Sequence, residues 1–273
     1  PPFSSRRRHT RSLVPSRGLG DVYKRQVWSS ALREPVNGQA LRRRLVGRRI
    51  LTAHRRAKYL LLHVEEGSTL AVHLGMSGRM TLVAAAEPRE AHEHVGVFLD
   101  SGERLRFRDP RRFGLVFALP TGQLQTDRHF AHLGIEPLEP SFSGGALAER
   151  ARGRRGPLKT FLMDARVAVG VGNIYASEAL FEAGIHPRRS VDRISATRWR
   201  RLAEAIRSTL ERAIEQGGTT LNDFTDGGGN EGYFQISLEV YGREGESCNG
   251  CGAIIRRIVQ AGRSTYYCPR CQR

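Results

Sequence analysis

Four cysteines, all within the last 26 residues, constrain this chain more than any other feature, and they fall as Cys248-x2-Cys251-x16-Cys268-x2-Cys271. A disulfide framework spreads its cysteines over the fold it staples. Two Cys-x2-Cys knuckles a hairpin apart can instead close a tetrahedral S4 shell around zinc. Four protein ligands leave no open position for water, so the spacing predicts one structural Zn2+ that folds the tail and does no chemistry. The intervening Arg256, Arg257 and Arg263 make that hairpin a candidate phosphate-facing surface.

Charge points the same way. Lys and Arg number 44 against 27 Asp and Glu, a net +17, and neutralising phosphates releases condensed counterions, which favours a nucleic-acid partner. A basic surface that serves only solubility is the plainer alternative, so charge alone does not decide. There is no apolar run of 18 residues and no apolar stretch in the Arg-rich start, so neither a membrane span nor a signal peptide is expected. A cytoplasmic protein, associated with the nucleoid through DNA, is the expectation.

The first 26 residues hold seven Arg and Lys, one acid and almost no apolar periodicity, so they are expected to bury no helix or strand face. A basic DNA-binding arm would look similar. The string is closer to translated adaptor or vector sequence joined to a truncated frame, which is excluded from fold reasoning. Setting it aside removes seven bases and one acid and leaves 37 against 26, or +11, so the charge argument survives.

From residue 27 to 126 the pattern is strand-like: Arg49 to His54, Tyr59 to Val64, Thr69 to Leu74, Val95 to Leu99 and Leu115 to Ala118, with Glu66-Gly67-Ser68 and Ser101-Gly102 as hairpin turns. An antiparallel sandwich or barrel follows, preceded by a short helix over Gly38 to Leu45 that puts Leu41 and Leu45 on one face. Residues 127–155 lose periodicity and read as an interdomain connection. Residues 156–235 are helical in period: Asn173 can cap a helix through Ala183 that Gly184 ends, and Ser195 a longer one that stops before Gly217-Gly218. Residues 236–273 are the zinc module. The fold class is α+β.

Gly170-Val171-Gly172-Asn173 feeds directly into a helix, where small residues let backbone N–H groups approach an anion at the positive end of the dipole. On physics alone this is equally any tight turn. Here a resemblance becomes specific. Gly170 to Pro187 resembles the helix–two-turn–helix element of the formamidopyrimidine-DNA glycosylase and endonuclease VIII family. Arg55 to Leu60, His73 to Gly78, Asp109 to Gly114, Gln216 to Leu221 and the cysteine knuckles match the same family in order, from about Val27 to Arg273.

The resemblance implies an N-terminal β-sandwich and a C-terminal helix–two-turn–helix domain with a zinc-ribbon finger. It also implies base-excision glycosylase and apurinic/apyrimidinic lyase activity on duplex DNA carrying oxidised purines (8-oxoguanine, formamidopyrimidines) or abasic sites, by a monomer. In the family an N-terminal proline amine attacks C1′ and a glutamate follows it, a covalent route suited to a secondary amine. Pro1 is followed here by Pro2 and Phe3, and nothing matches a Pro-Glu-Leu-Pro-Glu opening, so this copy is expected to be inactive, with a non-catalytic damage binder as the alternative. A basic RNA-binding zinc protein is a third, less compatible with the ordered motifs.

By the same resemblance Lys58 and Arg263 take catalytic roles, Lys58 as a cation and proton donor near the phosphates and Arg263 in assisting the second elimination. His92, Arg111, Arg155 and Asn173 match DNA contacts. Met76, Arg111 and Phe113 match the wedge that fills the gap left by a flipped base, where an apolar side chain, a planar donor and a ring replace what leaves the stack. That trio favours oxidised purines over pyrimidines. Taken singly, Lys58 and Arg263 are ordinary surface cations, and Met76 and Phe113 ordinary core. The loop from Thr219 to Tyr233 is expected to close over the flipped base, with Asn222 where a lysine is common.

Overall fold

The computed structural model describes residues 21–27, 32–216 and 238–273, with side chains of residues 23–27 left aside. Pro1, the loop from Thr219 to Tyr233 and Asn222 therefore lie outside the described residues. Two compact units divide between Asp127 and Arg128.

The first unit is an antiparallel β-sandwich. Its strands are β1 (Asp21–Val27), β2 (Arg48–Arg56), β3 (Tyr59–Val64), β4 (Ser68–His73), β5 (Arg79–Ala84), β6 (Glu93–Leu99), β7 (Glu103–Arg108) and β8 (Leu115–Pro120). They run in the order β5-β7-β6-β1-β2-β3-β4-β8. Among the described residues, the ladder of β5, β7, β6 and β1 meets that of β2, β3, β4 and β8 where β1 pairs with β2, at Asp21 with Arg49 and Val22 with Arg48. Val22, Leu62, Val72, Val95, Val97 and Phe107 bring both inner faces into one core, with Leu41 and Leu45 of helix α1 (Gly38–Leu45) packed in the same cluster. Asn37 caps α1 by accepting the Ala40 N–H. The predicted hairpin turn at Glu66-Gly67 is present with both residues in the left-handed region, φ 56° and 65°.

Two expectations fail here. A strand crosses the boundary drawn after residue 26, because β1 is held by backbone ladders to β6 and β2 whatever its side-chain pattern. Strands β5 and β7 are additions to the strands expected from the sequence. The sequence of β7, Glu-Arg-Leu-Arg-Phe-Arg, reads as a solvated face, yet Arg104 and Arg106 are each 3% exposed. Their charge is matched by a carboxylate cluster: Arg106 Nη1 donates to Glu87 at 2.7 Å and Glu90 at 2.6 Å, while buried Glu93 lies 3.2 Å from its Nε. Buried arginines persist when carboxylates match their charge in this way, even though the Nε of Arg104 and of Arg106 makes no hydrogen bond among the described residues.

The second unit holds α2 (Gly144–Ala151), α3 (Leu158–Leu162), α4 (Asn173–Glu182), α5 (Ala196–Glu215) and the hairpin β9 (Arg256–Gln260) and β10 (Arg263–Tyr267). The supposed connection over 127–155 thus contains a helix. Ser143 caps α2 by accepting the Ala146 N–H, and Leu147 is fully buried in a core with Leu180, Trp199, Leu202 and Ile206. Gly144 is the contact point with α5, since a Cβ there would lie 2.5 Å from the Arg200 backbone nitrogen. Ser195 caps α5, and Gly184 at φ 68° follows α4, both as the sequence indicates. Gly172, however, is the N-cap of α4, with Asn173 inside the first turn.

Candidate nucleic-acid interface

In the first unit the three wedge candidates stand on two adjoining loops. Met76 is 63% and Phe113 46% exposed, large apolar side chains that a soluble core would have absorbed. The Arg111 guanidinium lies over the Phe113 ring at 5.3 Å. The two loops touch at glycines: a Cβ on Gly75 would sit 2.7 Å from the Gly114 nitrogen, and Gly75 has φ 68°. Arg112, between Arg111 and Phe113, is itself left-handed at φ 59°.

Beneath them lies Asp109, fully buried, which sequence reasoning left unassigned within its motif. One carboxylate oxygen accepts the Ser77 hydroxyl at 2.7 Å and the other the Gly114 N–H at 2.7 Å. Its carbonyl accepts from His94 Nε2 at 2.9 Å, and its N–H donates to the His92 carbonyl at 3.0 Å. His92 is exposed with φ 64°, so its side chain is presented by the same network.

Lys58 sits exposed in the two-residue turn between β2 and β3, after Ala57 at φ 54°. Behind it His73 accepts the Gly75 N–H through Nδ1 at 2.9 Å and packs edge-on against Tyr59. Burial, and then the nearby Lys58 and Arg33 cations, lower the His73 pKa to about 4. A neutral imidazole therefore stands beside the lysine at physiological pH.

In the second unit the structure brings Asn173 and Arg263 together around a residue the sequence did not single out, Lys159. The Lys159 ammonium is buried, and it donates to Asn173 Oδ1, to the Ser264 carbonyl at 3.2 Å and to Thr265 Oγ1 at 2.7 Å. Burial, and then the Arg263 charge, lower its pKa to about 8. Asn173 Nδ2 donates in turn to the Tyr241 hydroxyl and the Ser264 carbonyl. Arg263 opens β10 after the Ala261-Gly262 turn and is exposed. Glu178, on the same helix as Asn173, is likewise buried and accepts three successive backbone N–H groups from Glu239, Val240 and Tyr241 at 2.8–3.0 Å. Burial raises its pKa, partly offset by those bonds. Arg155 is apart from this network: its side chain is 89% exposed, with only a 4.0 Å approach to Asp192.

The four cysteine sulfurs lie within 4.8 Å of one another, with Cys251 and Cys268 at 3.4 Å and Cys248 and Cys271 at 3.9 Å. Zn–S bonds of about 2.3 Å in a tetrahedron require sulfurs roughly 3.8 Å apart, so the set fits one structural zinc. Val240 and Ile255 pack against the site.

Three family models match the chain: the formamidopyrimidine-DNA glycosylase N-terminal domain over residues 8–116, the formamidopyrimidine-DNA glycosylase H2TH domain over 133–225, and the zinc finger found in FPG and IleRS over 245–273. The formamidopyrimidine-DNA glycosylase of Acidithiobacillus ferrooxidans is 50% identical over 249 residues, covering 90% of each chain. That of Stutzerimonas stutzeri is 53% identical over 235 residues, covering 84% of each. Among solved structures, the MutM (Fpg) protein of Thermus thermophilus superposes with TM-score 0.80 at 38% identity, over 92% of this chain and 91% of that one. The Lactococcus lactis Fpg in complex with an abasic-site DNA gives 0.84 at 30%, over 94% and 93%.

Proposed function

The chain belongs to the formamidopyrimidine-DNA glycosylase family, and from that premise we propose that it recognises damaged duplex DNA by filling the gap beside an extruded nucleotide. The observation that carries this reading is the exposure of Met76 and Phe113, with Arg111 stacked between loop and ring. Exposed apolar side chains occur elsewhere in the chain, but here a methionine and a phenylalanine are grouped with a guanidinium on adjoining loops, an arrangement suited to entering a base stack. Oxidised purines and abasic sites are the proposed lesions. His92 and Arg155 supply cationic or polar contacts to the backbone, which position the protein without reading sequence. Arg263 takes a lesion-flanking phosphate, and Asn173 helps to hold the hairpin that presents it.

Lys58 is proposed as the cation and proton donor beside the reacting sugar. His73, kept neutral behind it, adds no competing positive charge. The zinc supplies folding energy for the hairpin that carries Arg263. A glycosylase of this family also needs its nucleophilic amine, and the residues before Val27 offer no match to the Pro-Glu-Leu-Pro-Glu opening. We propose that the 273-residue polypeptide binds abasic DNA without forming an imine.

Borohydride trapping on an abasic duplex tests this. The 273-residue chain is expected to give no covalent adduct, while a chimera in which the family's opening segment replaces residues 1–26 gives one and excises 8-oxoguanine. Efficient trapping by the unaltered chain would refute the first half. A chimera that binds but never traps would favour the non-catalytic damage binder.

A further inference from the structure

The geometry points to Ser77 and Asp109 as a buried clamp that makes the two wedge loops a single rigid body, and we propose that this clamp sets the protein's discrimination for lesion-containing duplex and for the base opposite the gap. The inference rests on the wedge reading above and deepens it. Met76 and the pair Arg111 and Phe113 come from loops more than thirty residues apart in sequence. A wedge that fills one gap needs all three held in fixed relation, since side chains misplaced by a fraction of an ångström to an ångström lose most of a preorganised contact.

The carboxylate of Asp109 is bonded to both loops at once: to the hydroxyl of Ser77, next to Met76, and to the N–H of Gly114, next to Phe113. Ser77 closes the circuit, because its oxygen also accepts the Arg111 N–H at 3.2 Å. The hydroxyl thus donates to one loop's anchor and accepts from the residue that faces the orphaned base. Ser77 and Asp109 are 6% and 0% exposed, so water offers these groups little competing partnership. The left-handed Arg112 is a strained conformation that a loop adopts only when its surroundings fix it, and the Arg112 N–H is held by the Asp109 carbonyl at 3.3 Å. Neither Ser77 nor Asp109 reaches solvent as a DNA contact would. They are positioning residues that act through Arg111 and its neighbours.

The experiment measures binding of the full chain to three duplexes at one salt concentration: a tetrahydrofuran abasic analogue opposite cytosine, the same analogue opposite thymine, and undamaged DNA. Ser77→Ala is the informative variant, because it deletes one oxygen and leaves the Gly114 anchor. It is expected to lose about tenfold in affinity for the cytosine-opposed lesion and most of the difference between the cytosine- and thymine-opposed duplexes, with undamaged binding nearly unchanged and a lowered denaturation midpoint that still leaves the chain folded, because Asp109 and the Arg111 N–H each lose a buried partner. Ser77→Thr, which keeps the hydroxyl, should restore both. Asp109→Asn retains a carbonyl acceptor and an amide donor and is expected to fall between. Equal losses on all three duplexes, or a Ser77→Ala variant with intact opposite-base preference, would overturn the clamp. Arg111→Ala separates the two claims. If it abolishes the preference while Ser77→Ala does not, the wedge stands and the clamp fails. If Arg111→Ala also leaves the preference intact, the wedge reading fails and takes the clamp with it.

Discussion

The two units present their candidate functional residues in different ways. On the sandwich, Met76, Arg111 and Phe113 project from loops whose hydrogen bonds are made by other residues, Ser77 and Asp109. In the helical unit two of the candidate contacts belong to the structure itself, Asn173 by bonding Lys159, Tyr241 and the Ser264 carbonyl and Arg263 by standing on the hairpin next to the cysteine cluster, while Arg155 stands apart from both. Where presentation and support are separate residues, function can be removed without loss of fold. Where they coincide, it cannot.

The sharpest way to break that contrast is to remove zinc. Chelation, or Cys268→Ala, is expected to unfold the hairpin and abolish DNA binding while the sandwich keeps its thermal transition, since binding energies of structural zinc run to about 10 kcal/mol or more. Retention of full DNA affinity without metal would show that Arg263 needs no such support. A smaller effect is expected at Lys159. Lys159→Met should cost about 2–4 kcal/mol, because it leaves Asn173 Oδ1, the Ser264 carbonyl and Thr265 Oγ1 short of a donor.

That loss should also depend on pH. The folded-state pKa of Lys159 is depressed from 10.5 to about 8, so the unfolded chain binds more protons between those values and the wild type gains stability as pH rises through that window. Denaturation midpoints at about pH 7.5 and about pH 9.5 are therefore expected to show a widening gap between wild type and Lys159→Met. A gap that narrows would mean that the ammonium form is the one the site favours. Smallest of all should be Arg155→Ala, which removes an exposed cation. It is expected to weaken damaged and undamaged duplexes alike and to lower the salt slope by about one.

The same contrast explains what could be read from the sequence. Cysteine spacing, the strand runs of β3 and β6, the glycine stop of α4 and both ends of α5 are local signals, and all are found in the structure, whereas the cap of α4 is Gly172 where the sequence suggested Asn173. Met76, Arg111 and Phe113, which taken singly read as core or as a surface cation, are all exposed on adjoining loops. Asp109, Lys159 and Glu178 were missed because a buried charge looks like a surface charge until its partners are known, and those partners are backbone groups or residues far along the chain. Strand β7 was hidden for the same reason, its arginines answered by Glu87, Glu90 and Glu93 on a neighbouring segment. Helix α2 was obscured by the Gly144-Gly145 start, although Ser143 was there to cap it.

The central claim is that the exposed trio reads damage, and it is tested most directly by the ratio of affinities for a tetrahydrofuran-containing duplex and its undamaged counterpart. For the 273-residue chain the lesion duplex should bind at least about tenfold more tightly, since extruding an intact paired base costs a few kcal/mol that an abasic site does not require. The triple variant Met76→Ala, Arg111→Ala, Phe113→Ala should keep its fold and lose much more affinity for the lesion duplex than for the undamaged one, so that the ratio falls towards one. A triple variant that keeps the ratio, or a parent chain that never shows it, would contradict the account.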